Sequence, residues 1–158
     1  MTFKIENIKN QSGRIAIVTG ANIGLGYETT RALSKTGMKV VMACRNIQKA
    51  ENAKSKIIKE VKDADLEILQ LDLSRLKSVH EFAESYLNKY NRLDLLINNA
   101  GIMIPPLSKT EDGFESQMGV NYFAHFLLTN LLFPLLDQTD GSRVVSLSSI
   151  AHEKGVIN

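Results

Sequence analysis

The strongest constraint in this chain is an alternation. Short runs rich in β-branched and other apolar residues recur five times, at Arg14–Thr19, Met38–Ala43, Leu66–Leu71, Leu93–Asn98 and Ser142–Leu147, each parted from the next by a stretch long enough for a helix. Gly24–Thr36 carries an apolar stripe through Leu25, Ala32 and Leu33 and is followed by Gly37, a residue suited to a helix C-terminus. Asn46–Lys62 reads as a charged amphipathic helix, Arg75–Lys89 as a third helix and Phe114–Leu136 as the longest helical pattern. Parallel strands need crossovers of this length, and a parallel sheet is covered by helices on both faces. The pattern predicts an α/β protein with a doubly wound parallel sheet. No repeat, low-complexity tract or linker interrupts it, so residues 14–158 are expected to form one domain behind a polar lead-in, residues 1–13.

Composition narrows the partners. Of 158 residues, 44% are hydrophobic and 23% charged, the balance of a chain that buries one core. A net charge of +2 is too small to advertise nucleic acid or an anionic membrane. The lone cysteine, Cys44, makes neither an internal disulfide nor a thiolate cluster, and His80, His125 and His152 have no partner at metal-ligand spacing, so no metal is expected. The lead-in lacks the apolar core of a signal peptide, and the longest apolar stretch, Phe123–Leu136, is broken by His125, Thr129, Asn130 and Pro134. It falls short of the roughly 20 residues of a membrane helix, so no transmembrane segment and a cytoplasmic location are expected.

The sharpest motif lies between the first strand and first helix, Thr19-Gly20-Ala21-Asn22-Ile23-Gly24-Leu25-Gly26. Gly20 permits a tight turn, Gly24 lets backbone approach a pyrophosphate, and Gly26 lets the helix pack near the sheet, while the helix N-terminus offers unpaired N–H groups and a positive dipole end. A plain glycine-rich turn is the bland alternative. Asn98-Asn99-Ala100-Gly101 closes the fourth strand at the carboxyl edge, where ligands of open α/β sheets lie, and both asparagines also suit cross-strand amide bonds.

TGxxxGxG followed by Asn98-Asn99-Ala100-Gly101, Asn121 and Ser148-Ser149, in that order along essentially the whole chain, resembles the short-chain dehydrogenase/reductase family in its classical form. The resemblance implies a Rossmann-like sheet and hydride transfer between a nicotinamide and a carbonyl or alcohol carbon. Ser149 matches the serine beside the substrate oxygen, with Ser148 ranked lower because neighbours on a strand face opposite ways. Asn121 matches an asparagine that holds a water relay. Asp72 matches a residue beside the adenine amino group, with helix capping, by it or by Ser74, as its structural alternative. Cofactor contacts are expected from Gly20, Asn22, Ile23, Gly24, Leu25 and Gly26, from Asp72 and Leu73, from Asn98, Asn99, Ala100 and Gly101, and from Val120. The family also joins subunits through the long helix, which implies a homo-oligomer.

The cofactor itself is chosen at the end of the second strand, where a carboxylate accepts from a ribose 2′-OH but repels a 2′-phosphate. Cys44, Arg45 and Asn46 stand there. A guanidinium pairs with a dianionic phosphate in bidentate fashion, so NADP(H) is expected over NAD(H), and the lack of an acid speaks against an S-adenosylmethionine methyltransferase. The alternative for Arg45 is a solvated surface arginine.

The family's proton donor is Tyr-x-x-x-Lys, in which an ammonium one helical turn away draws a phenol pKa down from about 10. Four residues after Tyr27, Tyr86, Tyr90 and Tyr122 stand Arg31, Tyr90, Asp94 and Phe126, so the motif is absent. Family sequences place it farther beyond Ser149 than the nine residues remaining here. The chain is therefore expected to be a C-terminally incomplete piece of an enzyme, inactive alone; the alternative is a short module that binds nucleotide, or a partner, without turnover. Ala43-Cys44-Arg45-Asn46, Gly119-Val120-Asn121-Tyr122 and Leu147-Ser148-Ser149-Ile150-Ala151-His152 resemble the branch that includes retinol dehydrogenases and WW-domain oxidoreductases, with some likeness to protochlorophyllide reductases. That implies a lipophilic small-molecule carbonyl or alcohol as substrate.

Overall fold

The five apolar runs form one parallel sheet whose order places the second and third strands on one side of the first and the fourth and fifth on the other. In the computed structural model, which describes residues 5–154, the strands are β1 (Ile15–Thr19), β2 (Lys39–Cys44), β3 (Leu66–Gln70), β4 (Leu95–Asn98) and β5 (Arg143–Ser146). Their order is β3-β2-β1-β4-β5, every pairing parallel. The expectations for residues 1–4 and 155–158 lie outside the described residues. The helices are α1 (Gly24–Ser34), α2 (Ile47–Glu60), α3 (Leu76–Lys89) and α4 (Ala124–Gln138).

Side chains alternate across the sheet and build two cores. Ile17, Val41 and Leu96 face α3 and α4, where they meet Phe82, Tyr86, Leu128 and Leu132; Ala16, Val18, Val40 and Met42 face the other way, toward Ala50, Ala53 and Ile57 of α2. Because β1 leads to β2 on one side and β4 lies on the other, the carboxyl ends of β1 and β4 diverge in their connections and leave a crevice between them, the usual place for a ligand in such a sheet. Far from that edge, the buried Asp94 carboxylate accepts from the Ile15 N–H (2.9 Å), Arg14 Nε (3.0 Å) and Arg92 Nε (2.7 Å), tying the start of β4 to the start of β1. Burial alone would raise its pKa; the bonds from Arg92, the Ile15 amide and Arg14 outweigh it and hold the carboxyl below its usual range.

The longest helix departs from its sequence reading. Helical backbone begins near Ser116 rather than Phe114, because residues 109 and 115 form an antiparallel bridge first. Residues Met118–Phe123 then wind as a π-helix before α4 proper, the Ala124 N–H reaching back five residues to the Gly119 carbonyl. Such widened turns recur at functional sites. The polar residues and Pro134 do not end α4, so Met118–Gln138 makes a continuous helix of 21 residues whose most apolar 18-residue window has a mean hydropathy of 1.3, long and apolar enough by length and composition to cross a membrane. The helix is thus longer than the apolar stretch Phe123–Leu136 read from the sequence. Leu128, Leu132, Leu135 and Leu136 of the same helix are core residues facing α3 and the sheet.

Candidate functional site

The glycine turn follows from three local demands. Gly20 (φ +65°) and Gly24 (φ +58°) adopt left-handed backbone that side chains resist. Gly26 is buried against the turn itself, where a Cβ would collide with the Gly20 carbonyl and lie 2.5 Å from Asn99 Nδ2; at Gly24 a Cβ would meet only open space. Nothing caps the N-terminus of α1: Ile23 makes no side-chain cap bond and no acid sits in the first turn. Those amide donors therefore face outward, available to an anion.

Thr19 joins this turn to the end of β4. Its hydroxyl oxygen accepts from the N–H groups of Asn99 and Ala100, both at 2.9 Å, and Asn99 Nδ2 returns a bond to the Thr19 carbonyl at 2.7 Å. The two turns thus form one rigid floor. Above it opens a cleft of about 670 Å³ lined by Gly20, Asn22, Ile23, Leu25 and Gly26 from the first turn and by Asn99, Ala100 and Gly101 from the second. Its far end holds Arg45, Asn46 and Lys49 beyond β2, and Asp72 and Leu73 beyond β3; Val120 and Leu147 close the near end. Among the described residues Arg45 joins no ion pair. The dimensions and the donors fit a dinucleotide: a cradle of glycines at a helix N-terminus, with cations and no acid where the second strand ends.

A second cavity of about 580 Å³ adjoins the first across Asn99, Ala100 and Gly101. It is lined by Asn98, Asn121, His125 and Thr129, and by Ser146, Ser148 and Ser149. Asn121 donates from Nδ2 to the Ile102 carbonyl and accepts at Oδ1 from the Ile102 N–H, both at 2.9 Å, so its carboxamide clamps the backbone that follows Gly101.

Comparison with known proteins agrees with this geometry. The family profile described as short chain dehydrogenase matches residues 14–158. The chain belongs to the short-chain dehydrogenase family. It is 47% identical to retinol dehydrogenase 12 of Bos taurus over 145 residues, covering 92% of this chain and 46% of that protein. The chain thus spans about half the length of the curated relatives it matches. A crystal structure of an uncharacterised protein from Mycobacterium Paratuberculosis superposes with a TM-score of 0.85 at 41% identity, covering all of this chain and 54% of the other. A short chain dehydrogenase from Escherichia coli CFT073, crystallised with NADPH, gives 0.77 at 30% identity over 93% of this chain and 63% of its own.

In this member of the family the sequence-derived residues gather well, with four departures. Gly24 does not line the cleft and stands exposed at its rim. Asn98 faces the second cavity instead: its Nδ2 donates to Thr129 Oγ1 (3.0 Å) and Ser146 Oγ (3.3 Å), leaving buried Oδ1 without a partner among the described residues, so its duty is to join β4 to β5 and α4. Ser148 is not turned away from Ser149 by strand alternation, because β5 has already ended at Ser146 and both serines line the cavity. Neither Asp72 nor Ser74 caps α3: Asp72 Oδ1 accepts from the Ser74 N–H and hydroxyl, and the Leu76 N–H is bound by Asp112 at 2.9 Å. Asn46 has a second task, since its Oδ1 caps α2 through the Lys49 N–H. Cys44 is buried, its thiol pushed up to about 11 by burial although the Ala21 and Asn22 amides favour the thiolate. Sequence reasoning missed two lining residues: Lys49, which lies in the charged amphipathic stretch Asn46–Lys62, and His125, which was weighed only as a metal ligand. For Lys49 its position one turn into α2 beside Arg45 was the available signal.

Proposed function

We propose that the protein is an NADP(H)-dependent oxidoreductase acting on a lipophilic carbonyl or alcohol, with this chain supplying its dinucleotide site. One observation carries the reading: an uncapped helix N-terminus beneath a glycine cradle, with Arg45 and Lys49 and no acid at the end of β2. The nicotinamide, when bound, supplies or accepts the hydride. The first-turn amides of α1 would hold the pyrophosphate, and the Arg45 guanidinium would pair with a ribose phosphate while Lys49 adds charge. Asp72 would accept from the adenine amino group with the oxygen that Ser74 does not use. On the substrate side, Ser149 would donate to the substrate oxygen and stabilise the charge that develops there. Asn121, through Ile102, would keep the wall between the two cavities fixed.

The NADPH-bound relative supports the cofactor class, and the retinol dehydrogenases support the lipophilic substrate class. A titration of the full-length protein with NADPH and NADH tests the reading directly. Saturable uptake with NADPH preferred is expected; no saturable uptake of either would overturn it. The second reading, a nucleotide-binding module without turnover, makes a different prediction. The intact mass of the purified polypeptide, together with NADPH oxidation in the presence of retinal or another apolar aldehyde, separates the two: cofactor binding without turnover in a 17.6 kDa protein would favour the module.

A further inference from the structure

Buried between the two cavities, at the junction of π-helix and α4, the His125 ring spans two functional segments. His125 is 6% exposed. Nδ1 lies 3.1 Å from the Asn121 carbonyl oxygen and Nε2 lies 2.9 Å from Thr19 Oγ1. The first contact needs a proton on Nδ1, because a carbonyl only accepts. The second needs none on Nε2. Thr19 Oγ1 already accepts two amide N–H bonds, from Asn99 and Ala100, which occupy its lone pairs, and its own hydrogen has Nε2 at 2.9 Å against the Ile97 carbonyl at 3.4 Å. An imidazolium would push a second N–H at that filled oxygen.

We propose that His125 is a positioning residue of the oxidoreductase site: locked as the neutral Nδ1–H tautomer, it fixes the helical turn bearing Asn121 to the Thr19 hydroxyl that holds the cofactor turns together. The assignment rests on the oxidoreductase reading above. Through Thr19 the ring is one bond from the 98–101 turn and adjoins Gly20; through the Asn121 carbonyl it is coupled to the residue that clamps Ile102. A shift of the ring would therefore move both walls of the hydride-transfer region relative to each other. The surroundings favour the neutral form. The ring contacts Thr19 of β1 and the Asn121 carbonyl of its own helix, and the cavity it borders is lined by Asn98 of β4, by Asn99 just past it, by Tyr122, Phe126 and Thr129 of its own helix, and by Ser146, Ser148 and Ser149. None carries a charge, and Tyr122 is the only other titratable group among them. Burial lowers the basicity of the ring, against the smaller opposing effect of the Asn121 carbonyl.

Two measurements on the full-length protein decide the matter. Nitrogen-15 spectra of histidine-labelled protein should show a pyrrole-type Nδ1 and a pyridine-type Nε2 that do not titrate between about pH 5.5 and 8, where an ordinary histidine changes charge. The opposite tautomer, or titration near the usual midpoint of about 6.5, overturns the proposal. This readout needs no variant. In kinetics, His125→Phe removes both bonds, His125→Asn keeps a donor toward Asn121, and His125→Gln keeps an acceptor toward Thr19. The expected result is a loss of about tenfold or more in kcat for His125→Phe, with substrate KM within about twofold and partial recovery in the Asn or Gln variant. His125→Phe that matches wild-type kcat within about twofold overturns the role of His125 alone. Absence of cofactor uptake by wild-type protein overturns the oxidoreductase reading instead, so the two failures are distinct.

Discussion

The two cavities are built in opposite ways. The floor of the dinucleotide cleft is backbone pinned by buried groups: Thr19 is fully buried, Gly26 has no room for a methyl group, and Asn99 bonds across to β1. The neighbouring cavity leans on β5, all four of whose residues are exposed, and on a helix face that leaves Tyr122 and Phe126 in solvent. Placing a diphosphate depends on fixed amide directions, which a parallel sheet supplies as soon as β1 and β4 pair. Shaping a substrate pocket depends on side chains from the rim. On the proposed function, binding and turnover would be separable, and substitutions should sort accordingly.

The sharpest separation is expected at Ser149. In full-length protein, Ser149→Ala should lower kcat by about 10²–10³-fold while leaving the NADPH Kd, followed by fluorescence, unchanged. A matching loss of cofactor affinity would erase the contrast between the cavities. Asp94→Asn, at the opposite end of the strands, should cost about 3 kcal/mol of unfolding free energy at neutral pH, because it strips a buried carboxylate from Arg14, Arg92 and the Ile15 amide. The depressed pKa fixes the sign: the stabilisation is fully present above about pH 4 and fades as pH falls through the lower folded value, so denaturant midpoints of variant and wild type should converge in acid. Gly26→Ala should break the rigid side, costing about 2 kcal/mol by overpacking against the Gly20 carbonyl and weakening NADPH binding measurably. Arg45→Ala should lower the ratio of NADPH to NADH affinity about tenfold without moving the melting temperature; an unchanged ratio rejects its assignment. Smallest of all, Asn46→Ala should cost about 1 kcal/mol through loss of the α2 cap, visible in thermal melts.

The same contrast explains what the sequence could tell. Everything governed by local periodicity was legible: the five runs, their crossovers and the glycine turn all lie within one or two residues of their expected places, because β-branched alternation and positive-φ glycines act over a few residues. What escaped depends on contacts far apart in the chain. The π-helix around Asn121 is written in no local preference; it accompanies a clamp on Ile102, 19 residues earlier. His125 sits among apolar neighbours at helical spacing and looks like core until its ring is seen 106 residues from Thr19 in sequence and 2.9 Å from it in space. Asn98 and Asn99, adjacent and identical, divide their work by position: Asn98, the last residue of β4, bonds toward β5 and α4, and Asn99, just past the strand, bonds to β1.

The cap on α3 has a further consequence. Asp112 closes the helix entrance at Leu76, while Arg75 pairs with Glu111 and the Glu111 N–H bonds the Ser74 carbonyl. The helix has no side-chain cap of its own. As the polypeptide leaves the ribosome, α3 therefore emerges with a frayed start, and its first turn is sealed only after another 36 residues have been synthesised. The wall beside Asp72 and Leu73 must wait for a segment whose neighbours Ser108, Lys109 and Thr110 line the same cavity, so a nascent chain halted before residue 112 would hold β1 to β4 yet lack that seal.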